Sequence, residues 1–189
     1  MTVTNEIEEE LDPEEALEEA LDWIADEPEN PDAHYGAGIA YEELGQEAER
    51  RRAFLEVLRL DSLSEQAPLP ECETIICDEV EATLGELPSH INERLGSVAI
   101  LVEPRPSRAA VQDGVDPRLL GLFEGATCEE LSGPDAPLTT TRIQIFSHNL
   151  ASAFEDEASL RDEVRITVLH EIGHFFGLEE EDLERLGLD

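Results

Sequence analysis

Val168-Leu169-His170-Glu171-Ile172-Gly173-His174-Phe175-Phe176-Gly177-Leu178 sets two histidines four residues apart, with a glutamate directly after the first. On an α-helix, residues four apart lie one above the other on the same face. His170 and His174 can therefore each turn an imidazole nitrogen toward one metal ion while Glu171 sits beside them. Two nitrogen ligands and a base from one helical turn read as a zinc site. Apart from Glu171, the run from Ile166 to Leu178 carries no charge, in a 189-residue chain with 47 acidic residues. A helix kept this free of charge is one buried from nearly all sides. The plainer alternative is a core helix with two hydrogen-bonded histidines. A buried glutamate beside them would then need a partner or a metal to offset its desolvation.

A catalytic zinc takes a third protein ligand and leaves the fourth position for water. Gly177 is suited to end the helix in a left-handed cap. A chain turning back there can bring the residue three further on to the metal, and that residue is Glu180. The acidic run Glu179–Asp182 is also what a solvated helix start looks like.

The pattern His170-Glu171-x-x-His174-x-x-Gly177-x-x-Glu180 resembles the extended metzincin signature, with an acidic residue in place of its third histidine. It departs from that group in lacking a downstream methionine, the only Met being Met1. The strings TVLHEIGHFFGLEEEDLERL (167–186), LLGLFEG (119–125) and SVAILVE (97–103) together resemble more closely the small, mostly cytoplasmic bacterial zincin-like metallopeptidases, over about residues 71–189. The resemblance implies a minimal zincin fold and peptide-bond hydrolysis by a zinc-activated water, with Glu171 as general base and His170, His174 and Glu180 as metal ligands. In zincins an edge strand lies above the metal and holds substrate in extended form. The resemblance therefore also implies that role for Thr141–Ser147, whose residues alternate apolar and polar, making Arg142 and Gln144 substrate-binding candidates. His148, at the end of that strand, is the candidate for stabilising an oxyanion. His34 and His90 have no partner nearby in sequence and read as structural or surface residues.

The charge balance is extreme: 47 acidic residues against 12 basic, net −35, with every basic residue an arginine. Acid is spread over the chain, 21 residues in 1–70 and 26 in 71–189, so it is a general solvated surface and not one tail. Such a surface repels nucleic acid and anionic membrane. The stretch Met1–Glu6 has neither a basic start nor an apolar core, and no apolar run approaches the length needed to span a bilayer. Cys72, Cys77 and Cys128 are odd in number and form no C-x-x-C pair, which fits a reducing cytoplasm.

Residues 13–62 read as helices with a repeat of period 34, the tetratricopeptide period. Gly38, Tyr41, Gly45 and Phe54 fall where that repeat places small and aromatic residues, while Arg50 stands where it has Ala. This makes 1–65 an acidic tetratricopeptide-like helical segment that either docks as a scaffold or binds a protein partner. A boundary is expected at Leu63–Pro70, then a helix over Glu71–Leu87. Strands follow at Ser97–Glu103, Leu119–Phe123 and Thr141–Ser147, with the metal helix after them. The fold class is α+β: a small mixed sheet with the metal helix on one face, over 71–189, preceded by the all-α segment.

A peptidase acting on unstructured peptide is the leading reading. Two others stay open: a peptide- or partner-binding protein with little turnover, against which the intact Glu171 argues, and a deformylase-like zinc hydrolase using Cys128 as third ligand. The string FEGATCEELS resembles that enzyme's cysteine loop only in part, and its G-x-G-L-A motif is absent.

Overall fold

The structure, a computed structural model, describes residues 12–63, 70–96, 98–133, 140–154 and 156–188. Met1–Glu6, residues 64–69 of the expected boundary, and Ser97 lie outside the described residues. The chain forms two compact units, one within Met1–Glu65 and Ser107–Pro117, the other within Gln66–Pro106 and Arg118–Asp189. The helical unit is thus made of two separate stretches of chain, the second drawn from what the sequence presents as the later block.

In the helical unit, α1 (Pro13–Asp26), α2 (Pro31–Glu43) and α3 (Glu47–Leu63) begin with sequence signals that favour a helix start. Asp12 and Asn30 cap α1 and α2 through their side chains, and Pro13 and Pro31 take the first helical position, where no N–H is required. Gly38 on α2 lets α3 pack close, since a Cβ there would lie 2.2 Å from Phe54 Cε1. The second stretch adds α6 (Arg108–Asp113), whose Val111 is fully buried. Arg50, expected to be a small residue, is buried here. It donates to Glu42 and Glu47, both at 2.9 Å, and to the carbonyl of Gly114 at 3.1 Å, and lies 5.6 Å from the centre of the Phe54 ring. Tyr35 donates to Asp116 at 2.8 Å, so the second stretch is held at Asp116 as well as at Gly114.

The other unit holds α4 (Pro70–Glu86), α5 (Ser89–Leu95), β1 (Ala99–Glu103), β2 (Gly121–Glu124), α7 (Cys128–Ser132), β3 (Arg142–Phe146), α8 (Ser147–Ala153), α9 (Glu157–Phe175) and α10 (Glu180–Leu186). Its sheet has the order β1-β3-β2, with β1 parallel and β2 antiparallel to β3. Leu160, Val164, Val168 and Ile172 recur every fourth residue on α9 and form one stripe. That stripe shares a core with Ile143 and Ile145 of β3 and with Ile76 and Val80 of α4. Arg161 pairs with Glu79, and Arg165 with Glu86, along the rim between α9 and α4. The α+β class with a small mixed sheet and a preceding helical region is therefore the observed one. Among the described residues no helix is long and apolar enough to cross a membrane.

One expectation is corrected. Thr141–Ser147 was expected to be an edge strand half in water, yet β3 is the central strand, bonded on both sides. Its polar positions are satisfied within the protein. Gln144 is buried and donates to the Glu103 carboxylate, and Arg142 reaches Glu124 at 2.9 and 2.6 Å. Alternation along a strand reports that its two faces differ; it does not report whether the strand has neighbours.

Candidate metal and catalytic site

The site is built at the C-terminal end of α9. Asp156 starts that helix, accepting from the backbone N–H groups of Ala158 and Ser159. Gly177, at φ +82°, stops it: its N–H donates to His174 O at 2.9 Å, and the Leu178 N–H donates to Gly173 O at 3.0 Å. This pair of bonds is the Schellman motif, and only a residue at ease with positive φ closes it well. The expected left-handed stop is therefore present. The chain reverses and starts α10 at Glu180, so this residue is both the first of a helix and a neighbour of the histidines. Gly173 permits the approach of α10, since a Cβ there would lie 2.4 Å from Leu183 Cδ2.

Each histidine ring is held from behind by a main-chain carbonyl: His170 Nδ1 lies 2.6 Å from Leu188 O, and His174 Nδ1 lies 3.1 Å from Leu178 O. A carbonyl oxygen only accepts, so both rings carry their hydrogen on Nδ1 and present a bare Nε2. The two Nε2 atoms face each other at 2.9 Å. Glu180 adds Oε1 at 3.2 Å from His174 Nε2 and Oε2 at 3.7 Å from His170 Nε2. Two ring nitrogens and a carboxylate converging on one point are held together by a shared hydrogen or by a metal cation. The donor set of two nitrogens and one oxygen fits Zn²⁺. Among the described residues, this is the group of three that can hold a metal. The Glu180 side chain is 71% exposed, against 22% and 25% for the histidines, which leaves the cluster open to solvent on that side.

Glu171 points from α9 toward β2 and is only 6% exposed. Burial pushes its carboxyl up from the usual carboxylate range. His170, His174 and a hydrogen bond from the Phe123 backbone N–H pull it down, and Glu180 pushes it up again. The net direction is upward, which brings a carboxylate nearer to the range useful to a general base. The strand comes very close at this point: a Cβ on Gly121 would meet Glu171 Oε1 and Thr167 Cγ2, both at 2.7 Å.

Gly121 and Phe123 are site residues that the sequence reading did not single out by role. A glycine inside a strand is the signal that could have found the first, because it marks where another part of the chain comes near. The Phe146 N–H donates to Leu120 O at 2.8 Å, and bonded pairs alternate along an antiparallel ladder. The main-chain groups of Gly121 and Phe123 therefore face away from β3, along the outer edge of β2.

The remaining candidates have other partners. Arg142 and Gln144 are committed to Glu124 and Glu103. His148 is the second residue of α8, with its N–H donating to Pro104 O at 2.9 Å. Burial and the Arg105 guanidinium push its imidazole pKa down, while Glu73 pushes it up. Cys128 is buried on α7, where its sulfur accepts from Arg94 Nη1 at 3.3 Å, and it does not join the metal-ligand group.

No curated protein matches the chain. The model of the zincin-like metallopeptidase family matches residues 95–188. That stretch, which includes the whole mixed sheet, the helix that carries His170, Glu171 and His174, and the turn that returns Glu180 to them, is thus similar to the zincin-like metallopeptidases.

Proposed function

We propose that the protein is a zinc-dependent peptidase, with His170, His174 and Glu180 holding the metal and Glu171 as general base. The observation that carries this reading is the convergence of two bare Nε2 atoms and a carboxylate on one point, with a buried glutamate of raised pKa adjacent. Bound there, zinc would supply Lewis acidity, bringing a water molecule into titration range near neutral pH and polarising a carbonyl. The chain's own part is orientation and proton transfer. The Leu188 and Leu178 carbonyls hold the rings, and the Phe123 N–H steadies one Glu171 oxygen. Glu171 takes a proton from the attacking water and delivers it to the leaving amine.

The substrate is a peptide in extended form, laid along the outer edge of β2. Support for this comes from β2 being a sheet edge beside Glu171, with the main-chain groups of Gly121 and the Phe123 carbonyl facing outward while the Phe123 N–H is held by Glu171. Glu171→Gln tests the assignment, since the amide is nearly isosteric but cannot accept the proton. Hydrolysis of a peptide panel is expected to disappear while stoichiometric zinc binding and fold persist. Refolded wild-type protein with less than about half an equivalent of zinc overturns the metal reading. Activity retained within about tenfold in Glu171→Gln overturns the base.

We also propose that the helical unit receives a basic, apolar segment of a partner protein, and that the protein works in the cytoplasm. A groove of about 1020 Å³ runs between α1 and α2 over Ala16, Ala20, Trp23 and Ile39, with Glu19 and Glu43 at its rim. No basic residue precedes Arg50, so a second copy of this acidic chain is a poor occupant and a cationic one is favoured. Trp23 is the only tryptophan, so its fluorescence reports the groove directly. An amphipathic Arg/Leu peptide should shift the emission to the blue. An equal shift from a scrambled peptide of the same composition overturns the proposal. The three free cysteines support a reducing compartment.

A further inference from the structure

We propose that the main-chain carbonyl of Leu188, held in place by Gly187, is a positioning group for His170. This rests on the metal reading above. α10 reaches the site from both of its ends. Its first residue, Glu180, brings the carboxylate, and the turn after its last residue brings the carbonyl that fixes the opposite ring. Between them Leu183, fully buried, seats the helix on Gly173 of α9. Seven helical residues span about 10 Å, so one rigid piece delivers a ligand and an orienting acceptor.

The turn is built for that. Gly187 adopts φ 72°, ψ 38°, its N–H donates to Glu184 O at 3.0 Å, and the Leu188 N–H donates to Leu183 O at 3.1 Å. The chain folds back over the end of α10, and Leu188 O comes to 2.6 Å from His170 Nδ1. No side chain takes part, so residue types at the turn matter only through the conformations they permit. A β-branched residue is strained at this φ, whereas asparagine tolerates it. The consequence is specific: the turn after α10 governs which nitrogen of His170 is bare, while His174, held by Leu178 O from the turn after α9, is independent of it.

The test uses the full chain with Gly187→Val and Gly187→Asn. Two readouts are taken: the imidazole ¹⁵N shifts of both histidines in metal-free protein, and zinc affinity by chelator competition. Expected in Gly187→Val are a mixed tautomer at His170, an unchanged His174, and zinc affinity lower by about 10- to 100-fold, the usual effect of losing a ligand's outer partner. Gly187→Asn should match wild type in both. The proposal is overturned if His170 keeps its wild-type shifts in Gly187→Val, or if both histidines change together, which marks general loosening. It is overturned too if Gly187→Asn is as impaired as Gly187→Val. Wild-type protein that binds no zinc sinks the metal reading, while the metal-free shifts still decide this one.

Discussion

The backbone N–H of Phe123 donates to the carboxylate of Glu171, so the outer strand of the sheet and the helix bearing the histidines meet at the proposed base. The contact depends on Gly121 two residues earlier, where no Cβ fits against Glu171 and Thr167.

Gly121→Ala should therefore push β2 away from α9 and turn the carboxylate aside. The expected outcome is peptide hydrolysis lower by on the order of 100-fold, the smaller end of what a positioned base contributes. Stability should fall by about 1–3 kcal/mol from overpacking, with zinc affinity nearly unchanged because the three ligands lie elsewhere. Steady-state kinetics beside a zinc titration check it, and wild-type turnover would contradict it.

Glu180→Ala removes a ligand and leaves two histidines and solvent. Zinc affinity should drop by more than about 100-fold, beyond the loss expected for an outer partner alone. Glu179→Ala and Glu181→Ala should change it little. Cys128→Ser should not change it, since that sulfur faces Arg94 and not the cluster. Chelator competition across the four variants decides it, and a loss in Cys128→Ser with none in Glu180→Ala would transfer the ligand role to the cysteine.

Asp156 caps α9, and the hydrogen bonds from Ser159 and Ala158 hold its carboxyl below the usual range. A carboxyl depressed in the folded state stabilises the fold above its unfolded pKa, and that stabilisation is lost as pH falls through the folded value. The difference in melting temperature between wild type and Asp156→Ala should thus be full at pH 6 and shrink below about pH 3.9. Asp156→Asn keeps an acceptor without a titrating group, so its own gap to Asp156→Ala should persist into acid. Thermal melts over that range measure it, and a pH-independent wild-type gap would contradict it.

Deleting residues 1–65 takes away the helices against which Ser107–Pro117 packs, while the core of the sheet-containing unit stays intact. The remaining chain should fold and bind zinc, but trypsin should cut it after Arg108, at the start of α6, far faster than in the full chain. Equal protection would show that the stretch does not depend on those helices.

Much of the site was legible because it is local. The spacing of His170, Glu171 and His174 is a property of one helical turn, and Gly177 signals its own cap. What lies across the fold was not legible. Gln144 looks like a half-exposed strand residue until Glu103 supplies its partner, and Arg50 looks like a misplaced alanine until Gly114 supplies a carbonyl 64 positions away. The carbonyls of Leu188 and Leu178 leave no trace in residue type at all, since any residue has one.

The division of the helical unit into two stretches also has a bearing on synthesis. Its three long helices leave the ribosome before Ser107–Pro117, and Arg50 and Tyr35 wait for Gly114 and Asp116, by which time β1 has already been made. A nascent chain that paused before residue 107 would hold three acidic helices with an unclosed flank, so the two units are coupled in their order of assembly.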